Sequence, residues 1–124
     1  MRDRIVYHFT GNAEGSTLRK ALGALLAHGL GIELRRVGSG KRMTFVGGEQ
    51  ELSTWIAENA RVSWIVDTAP WVLEEHLIST LDVPLNLDGN KHNAFHPQLT
   101  AMRAASVARA RKLPVVANAG VGGR

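Results

Sequence analysis

The chain has 124 residues, of which 44% are hydrophobic, so it is long enough for one domain and too short for two ordinary ones. It contains no cysteine, which excludes disulfides and zinc sites built on cysteine. The net charge of +4 favours a polyanionic partner. Because the sequence has no secretory segment and no apolar run of membrane-spanning length, we predict a soluble cytoplasmic protein.

The N-terminal part of the chain predicts two helices. Residues 1–12, MRDRIVYHFTGN, are compatible with a helix from the first residue. A second, amphipathic helix has Ser16 or Thr17 as its N-cap. Gly29 or Gly31 is placed to end it, since glycine readily adopts the left-handed conformation of a helix C-terminus.

The rest of the chain alternates between strand-like and helix-like patterns. The elements predicted in order are a hairpin over 32–46 that turns at Gly38-Ser39-Gly40, a helix within 48–60, a strand over 61–66, a helix after Pro70, a loop over 82–97, and a C-terminal helix near 97–112. A glycine-rich tail follows, which we expect to be flexible.

Two adjacent glutamates lie in the otherwise apolar helix that follows Pro70. Helical spacing places four apolar side chains on one face: Leu73, Leu77, Ile78 and Leu81. Glu74 falls on the same face, whereas Glu75 turns toward its edge. An ionised carboxylate on a buried apolar stripe is costly unless it is paired, protonated or bound to a cation. The pattern therefore predicts a buried Glu74 that needs a partner.

Basic side chains flank the turn of the predicted hairpin, namely Arg35, Arg36, Lys41 and Arg42. Such a cluster can neutralise phosphates and so give sequence-independent affinity for nucleic acid. The other interpretation is that these charges keep an exposed sheet edge soluble. The pattern does not separate the two.

The N-terminal helix carries Arg4 and His8 four residues apart, so both project from one face. Arginine offers a permanently charged fork suited to a phosphate, and histidine can move a proton near neutral pH. Taken alone, such a pair is more often a solvated surface than a site.

Three short motifs in order resemble the body of a GIY-YIG nuclease domain. They are RIVYH at 4–8, VLEEHLI at 72–78 and PLN at 84–86. The segments GNAEGSTLRKALGALLA and GIELRRVGSGKRMTF also resemble an actinobacterial-type branch of that family. The resemblance implies an α+β fold, a small antiparallel sheet flanked by helices. It also implies a nuclease domain over residues 1–88, followed by a C-terminal loop, basic helix and flexible tail over 89–124.

The resemblance also implies roles for particular residues. Arg4 matches the arginine that stabilises the attacked phosphate, His8 the histidine of the same helix, and Asn86 the asparagine after the proline. Glu74 matches the glutamate that binds one divalent metal ion, Mg²⁺ or Mn²⁺. The implied substrate is DNA, which the family cleaves by metal-dependent phosphodiester hydrolysis.

One feature of the family pattern is missing from the sequence. The tyrosine-bearing GIY and YIG strands should precede Arg4, and Tyr7 is the sole tyrosine of the chain. We therefore expect an N-terminally truncated member with impaired cleavage. The alternatives are a non-catalytic remnant that binds nucleic acid, and an interaction domain whose charges merely solvate it.

Overall fold

The computed structural model describes residues 2–62 and 66–117. Its elements in chain order are α1 (Arg2–Thr10), α2 (Thr17–Leu30), β1 (Arg35–Val37), β2 (Arg42–Thr44), α3 (Gly48–Asn59), α4 (Pro70–Thr80) and α5 (His96–Lys112). The predicted α+β class, a small antiparallel sheet with flanking helices, is confirmed. The centre of the strand predicted over 61–66, residues 63–65, lies outside the described residues, as does the tail from 118.

Helix α2 begins and ends at residues that the sequence marks. Ser16 is the N-cap, and its hydroxyl oxygen accepts a hydrogen bond from the Arg19 N–H at 3.1 Å. Gly31 is the C-cap, with a φ of 66° that favours glycine. Of the two candidates at each end, Thr17 and Gly29 are therefore not the caps.

The two-stranded sheet is the predicted hairpin. Val37 pairs with Arg42, and the turn between them uses positive φ at Gly38 and Gly40. The chain after α5 lies alongside β1, where the Val116 N–H donates to the Arg36 carbonyl at 2.9 Å. The hairpin therefore anchors the end of the described chain.

The hydrophobic core lies between α2, α3 and the hairpin. Its buried members include Ile32, Leu34, Phe45, Leu52 and Ile56. Helix α2 approaches Phe45 at Gly23, where a Cβ atom would overlap the aromatic ring. Helix α5 packs on α2 and β1 and buries Ala110 in the same cluster. The predicted domain boundary at residue 88 stays a prediction.

A buried arginine holds α1 on the rest of the fold. Arg19 is fully buried, and its Nε and Nη2 donate to Glu49 Oε1 at 3.1 and 2.9 Å. Its Nη1 donates to the carbonyls of His8 and Phe9 at 3.1 and 3.0 Å. These carbonyls belong to the last turn of α1, so a guanidinium satisfies groups that have no partner within the helix.

The other carboxylate oxygen of Glu49 accepts hydrogen bonds from two backbone N–H groups. Glu49 Oε2 accepts from the N–H of Ala13 at 2.9 Å and from the N–H of Phe45 at 2.8 Å. The pair of Glu49 and Arg19 thus joins the first two helices to the end of β2 and the start of α3. Burial of both charges is tolerated because each is paired and hydrogen-bonded.

Helix α4 does not have the buried face that its spacing predicts. None of its residues is buried, and Glu74 is exposed. The exposed fraction is 65% for Trp71 and 54% for Leu81, the residue that ends the helix. The prediction of a buried Glu74 is therefore wrong. The reason is that, within the described residues, no helix or strand packs closely across the apolar stripe of α4.

Candidate active site

The residues matched by the three motifs meet at one cavity. Arg4 and His8 from α1, Glu74 from α4 and Asn86 from the following loop all line a cavity of about 640 Å³. The start of α2 and the side of α5 complete its wall. Segments that are far apart in the chain thus bring two basic side chains, a carboxylate and an amide to one space.

The loop after α4 is shaped by a buried asparagine. Asn90 is fully buried, and its Nδ2 donates to the carbonyls of Val83 and Asn86 at 3.0 and 2.9 Å. The Asn86 N–H donates to the Val83 carbonyl at 3.1 Å, and Gly89 turns the chain with a φ of 67°. These bonds fix the turn that presents Asn86 to the cavity.

His8 is half-buried and shares a hydrogen bond with a second residue. Its Nδ1 lies 2.7 Å from the hydroxyl oxygen of Ser16. Burial, and then the positive charges of Arg4 and Arg19, lower the pKa of His8 below its ordinary value of 6.5. The imidazole is therefore neutral at neutral pH and has a nitrogen lone pair available for a proton.

Several charged side chains of the cavity wall have no partner among the described residues. Within residues 2–62 and 66–117, no hydrogen bond or ion pair is formed by the side chains of Arg4, Glu74, Asp88 or Arg103. By contrast, the charges of Arg19 and Glu49 are fully paired. These charges of both signs are therefore available to a charged ligand at the cavity.

The family model described as the GIY-YIG catalytic domain matches residues 1–105. The chain belongs to the GIY-YIG family. It is accordingly a nuclease-type domain, and nucleic acid is the substrate class that the family implies. Neither the curated proteins nor the solved structures compared with the chain give a match. The GIY-YIG match includes all of α1 to α4 and the first part of α5.

Two further charged residues line the 640 Å³ cavity that the three motifs do not include, Asp88 and Arg103. Asp88 lies two residues after Asn86 and also lines an adjoining cavity of about 730 Å³, together with Glu74. Asp-Gly is a common turn sequence, so nothing local distinguishes Asp88 from an ordinary turn residue. Arg103 is one of several basic residues on α5, and only the packing of α5 brings it to the cavity.

Three side chains of the 640 Å³ cavity carry carboxylate or amide oxygen atoms, the kind of ligand that hard divalent cations bind. Glu74 and Asp88 offer carboxylates, and Asn86 offers an amide oxygen. The described residues hold no group of three or more histidine, cysteine, aspartate or glutamate side chains that could bind a metal. A divalent metal ion at Glu74 therefore stays a prediction.

The basic cluster of the hairpin divides into two halves. Arg35 Nη2 donates to the Pro114 carbonyl at 2.9 Å, and Arg36 Nη2 donates to the Leu113 carbonyl at 2.7 Å. These two guanidinium groups therefore hold the chain after α5. Lys41 and Arg42 are exposed. A contact of the cluster with nucleic acid stays a prediction.

No helix within the described residues is long and apolar enough to cross a membrane.

Proposed function

We propose that this GIY-YIG domain is a metal-dependent DNA endonuclease that hydrolyses phosphodiester bonds at the cavity between α1, α4 and α5. One observation carries the proposal. The four residues that the family resemblance matches to functional positions, Arg4, His8, Glu74 and Asn86, come from three separate segments and line the same cavity. This convergence from separate segments supports a common role for the four side chains.

Arg4 is proposed to bind the attacked phosphate. Its guanidinium is exposed, lines the cavity and has no protein partner in the described ranges. A planar guanidinium can donate two parallel hydrogen bonds to phosphate oxygens. Negative charge on those oxygens grows as water attacks, so a fixed cation beside them stabilises the transition state more than the ground state.

His8 is proposed to take the proton of the attacking water. If Nδ1–H donates to the Ser16 hydroxyl oxygen, which lies 2.7 Å away, the lone pair of Nε2 is left for that proton. The lowered pKa of His8 keeps the ring neutral and ready to accept. The water oxygen forms the new bond to phosphorus, and the bond to the departing sugar oxygen breaks.

Glu74 is proposed to hold Mg²⁺ or Mn²⁺, with Asn86 and Asp88 as further oxygen donors at the same wall. A cation bound there would polarise a phosphoryl oxygen and stabilise the departing oxygen. The exposure of Glu74 agrees with this role, because a ligand that binds metal and substrate together must be reachable from solvent.

Cleavage by this chain is proposed to be slow. GIY-YIG nucleases use two tyrosines, whereas the sequence has Tyr7 alone. The Tyr7 ring lies over Gly11 and Gly15, where Cβ atoms would overlap it, so its place is a packing position. The same observation favours the alternative function, a domain that binds nucleic acid without cleaving it.

The proposal is tested by nicking of supercoiled plasmid in Mg²⁺ or Mn²⁺, with the chelator EDTA as the blank. Glu74→Gln should abolish nicking, and Glu75→Gln is the matched control, since Glu75 is its neighbour and does not line the 640 Å³ cavity. Loss of nicking in the control with retention in Glu74→Gln would overturn the assignment. DNA binding without any nicking would favour the alternative.

A further inference from the structure

Helix α5 contributes one arginine to the cavity of the proposed nuclease site. Arg103 is half-buried and lines the same cavity as Arg4. It follows all three family motifs in the chain. The family match ends at residue 105, so Arg103 lies inside the matched domain. None of the three motifs includes it.

Two other arginines of the fold have donors that are hydrogen-bonded within the protein, and they provide a comparison for Arg103. On the same helix, Arg109 Nε donates to Glu33 Oε2 at 2.6 Å. In the core, Arg19 is saturated by Glu49 and by backbone carbonyls. Arg103 has no such bond to any residue in the described parts of the chain.

Acidic groups are available nearby, and Arg103 does not pair with them. Glu74 and Asp88 line the same cavity, and neither forms an ion pair with Arg103. The unpartnered donors of Arg103 are not buried, so its guanidinium is open to a ligand that supplies acceptors. The ligand that such a fork recognises is an anion with paired oxygens.

We propose that Arg103 is a second phosphate-binding residue, which binds a DNA phosphate other than the one held by Arg4. The inference rests on the proposed function, because it takes DNA as the ligand. Arg4 and Arg103 come from α1 and α5, at opposite ends of the described chain, and both reach one cavity of about 640 Å³. Two arginines placed in this way hold a backbone at two points and so set the orientation of the bond between them.

The test measures binding of a short fluorescent DNA duplex to the full chain in EDTA, where no cleavage occurs, over a series of KCl concentrations. Arg103→Gln should weaken binding roughly tenfold at low salt and lower the salt slope by about one. Arg103→Lys keeps the charge, so it should keep the slope while losing part of the affinity. Arg111→Gln is the control, because Arg111 is an exposed arginine of the same helix that does not line the cavity.

The outcomes separate this inference from the proposed function. If the wild-type chain binds the duplex and Arg103→Gln matches Arg111→Gln in affinity and slope, the second phosphate contact is wrong and the nuclease proposal stands. If the wild-type chain binds the duplex neither in EDTA nor with Mg²⁺ present, both fail. Equal melting temperatures of the variants exclude a folding defect as the cause of lost binding.

Discussion

The hydroxyl oxygen of Ser16 lies 2.7 Å from Nδ1 of His8 and also accepts the Arg19 N–H that opens helix α2. One buried side chain therefore does two things, since it caps a helix and orients the imidazole of the cavity. A hydroxyl oxygen has two acceptor positions, so both bonds can be made at once. The position of His8 is thereby coupled to the start of the next helix.

Ser16→Ala is expected to cost both stability and the orientation of His8. Loss of an N-cap hydroxyl lowers the free energy of unfolding by about 1 kcal/mol. Urea unfolding measures this loss, and the ¹⁵N chemical shifts of the His8 ring report the tautomer. Ser39→Ala, at the exposed hairpin turn, serves as the control. Unchanged ring shifts in Ser16→Ala would refute the coupling.

The lowered pKa of His8 predicts a specific pH dependence of stability. Between the lowered pKa and 6.5, the unfolded chain binds more protons than the folded chain, so stability rises with pH. The contribution of His8 is thus complete above 6.5 and is lost as the pH falls to the lowered value. His8→Gln should therefore make the free energy of unfolding nearly independent of pH in that window, as measured by urea unfolding at several pH values.

Arg4→Gln should raise the pKa of His8, measured by NMR titration, because it removes one of the charges that lower that pKa.

The buried pair of Arg19 and Glu49 is expected to be the most sensitive point of the fold. Removing one partner of a buried ion pair leaves an uncompensated charge and costs about 3–5 kcal/mol. Glu49→Gln should therefore lower the free energy of unfolding strongly, whereas Glu51→Gln, on the exposed side of the same helix, should change it little. Urea denaturation compares the two. Similar values for both variants would show that the pair is not a main source of stability.

The halves of the hairpin cluster are expected to respond differently to serine substitution. Arg36→Ser removes the donor to the Leu113 carbonyl, so we expect a lower melting temperature. Lys41→Ser should leave the melting temperature unchanged, since Lys41 is exposed, and should weaken binding of unrelated duplexes alike with a smaller salt slope. Unaltered DNA binding when Arg35, Arg36, Lys41 and Arg42 are all replaced by Ser would place the contact surface elsewhere.

The local features of this protein can be predicted from neighbouring residues of the sequence. Ser16 and Gly31 bound helix α2, and glycines mark the hairpin turn, because caps and tight turns depend on side-chain chemistry and φ preference within a few residues. The ordered motifs around Arg4, Glu74 and Asn86 identified the family for the same reason, since each motif is short and contiguous.

Which helix faces are covered and which charges are paired depends on packing between elements, and the sequence patterns did not predict it. Helical spacing placed Glu74 with Leu77 on one face, yet nothing in the spacing says whether another element packs there, and in the described residues no helix or strand packs closely on it. Arg19 and Glu49 are thirty positions apart and read locally as surface charges, although they form the buried centre of the fold. Arg103 reaches the cavity through the packing of α5 on α2. Burial and charge pairing depend on contacts between elements that are distant in the chain, so the spacing of residues within one element cannot predict them.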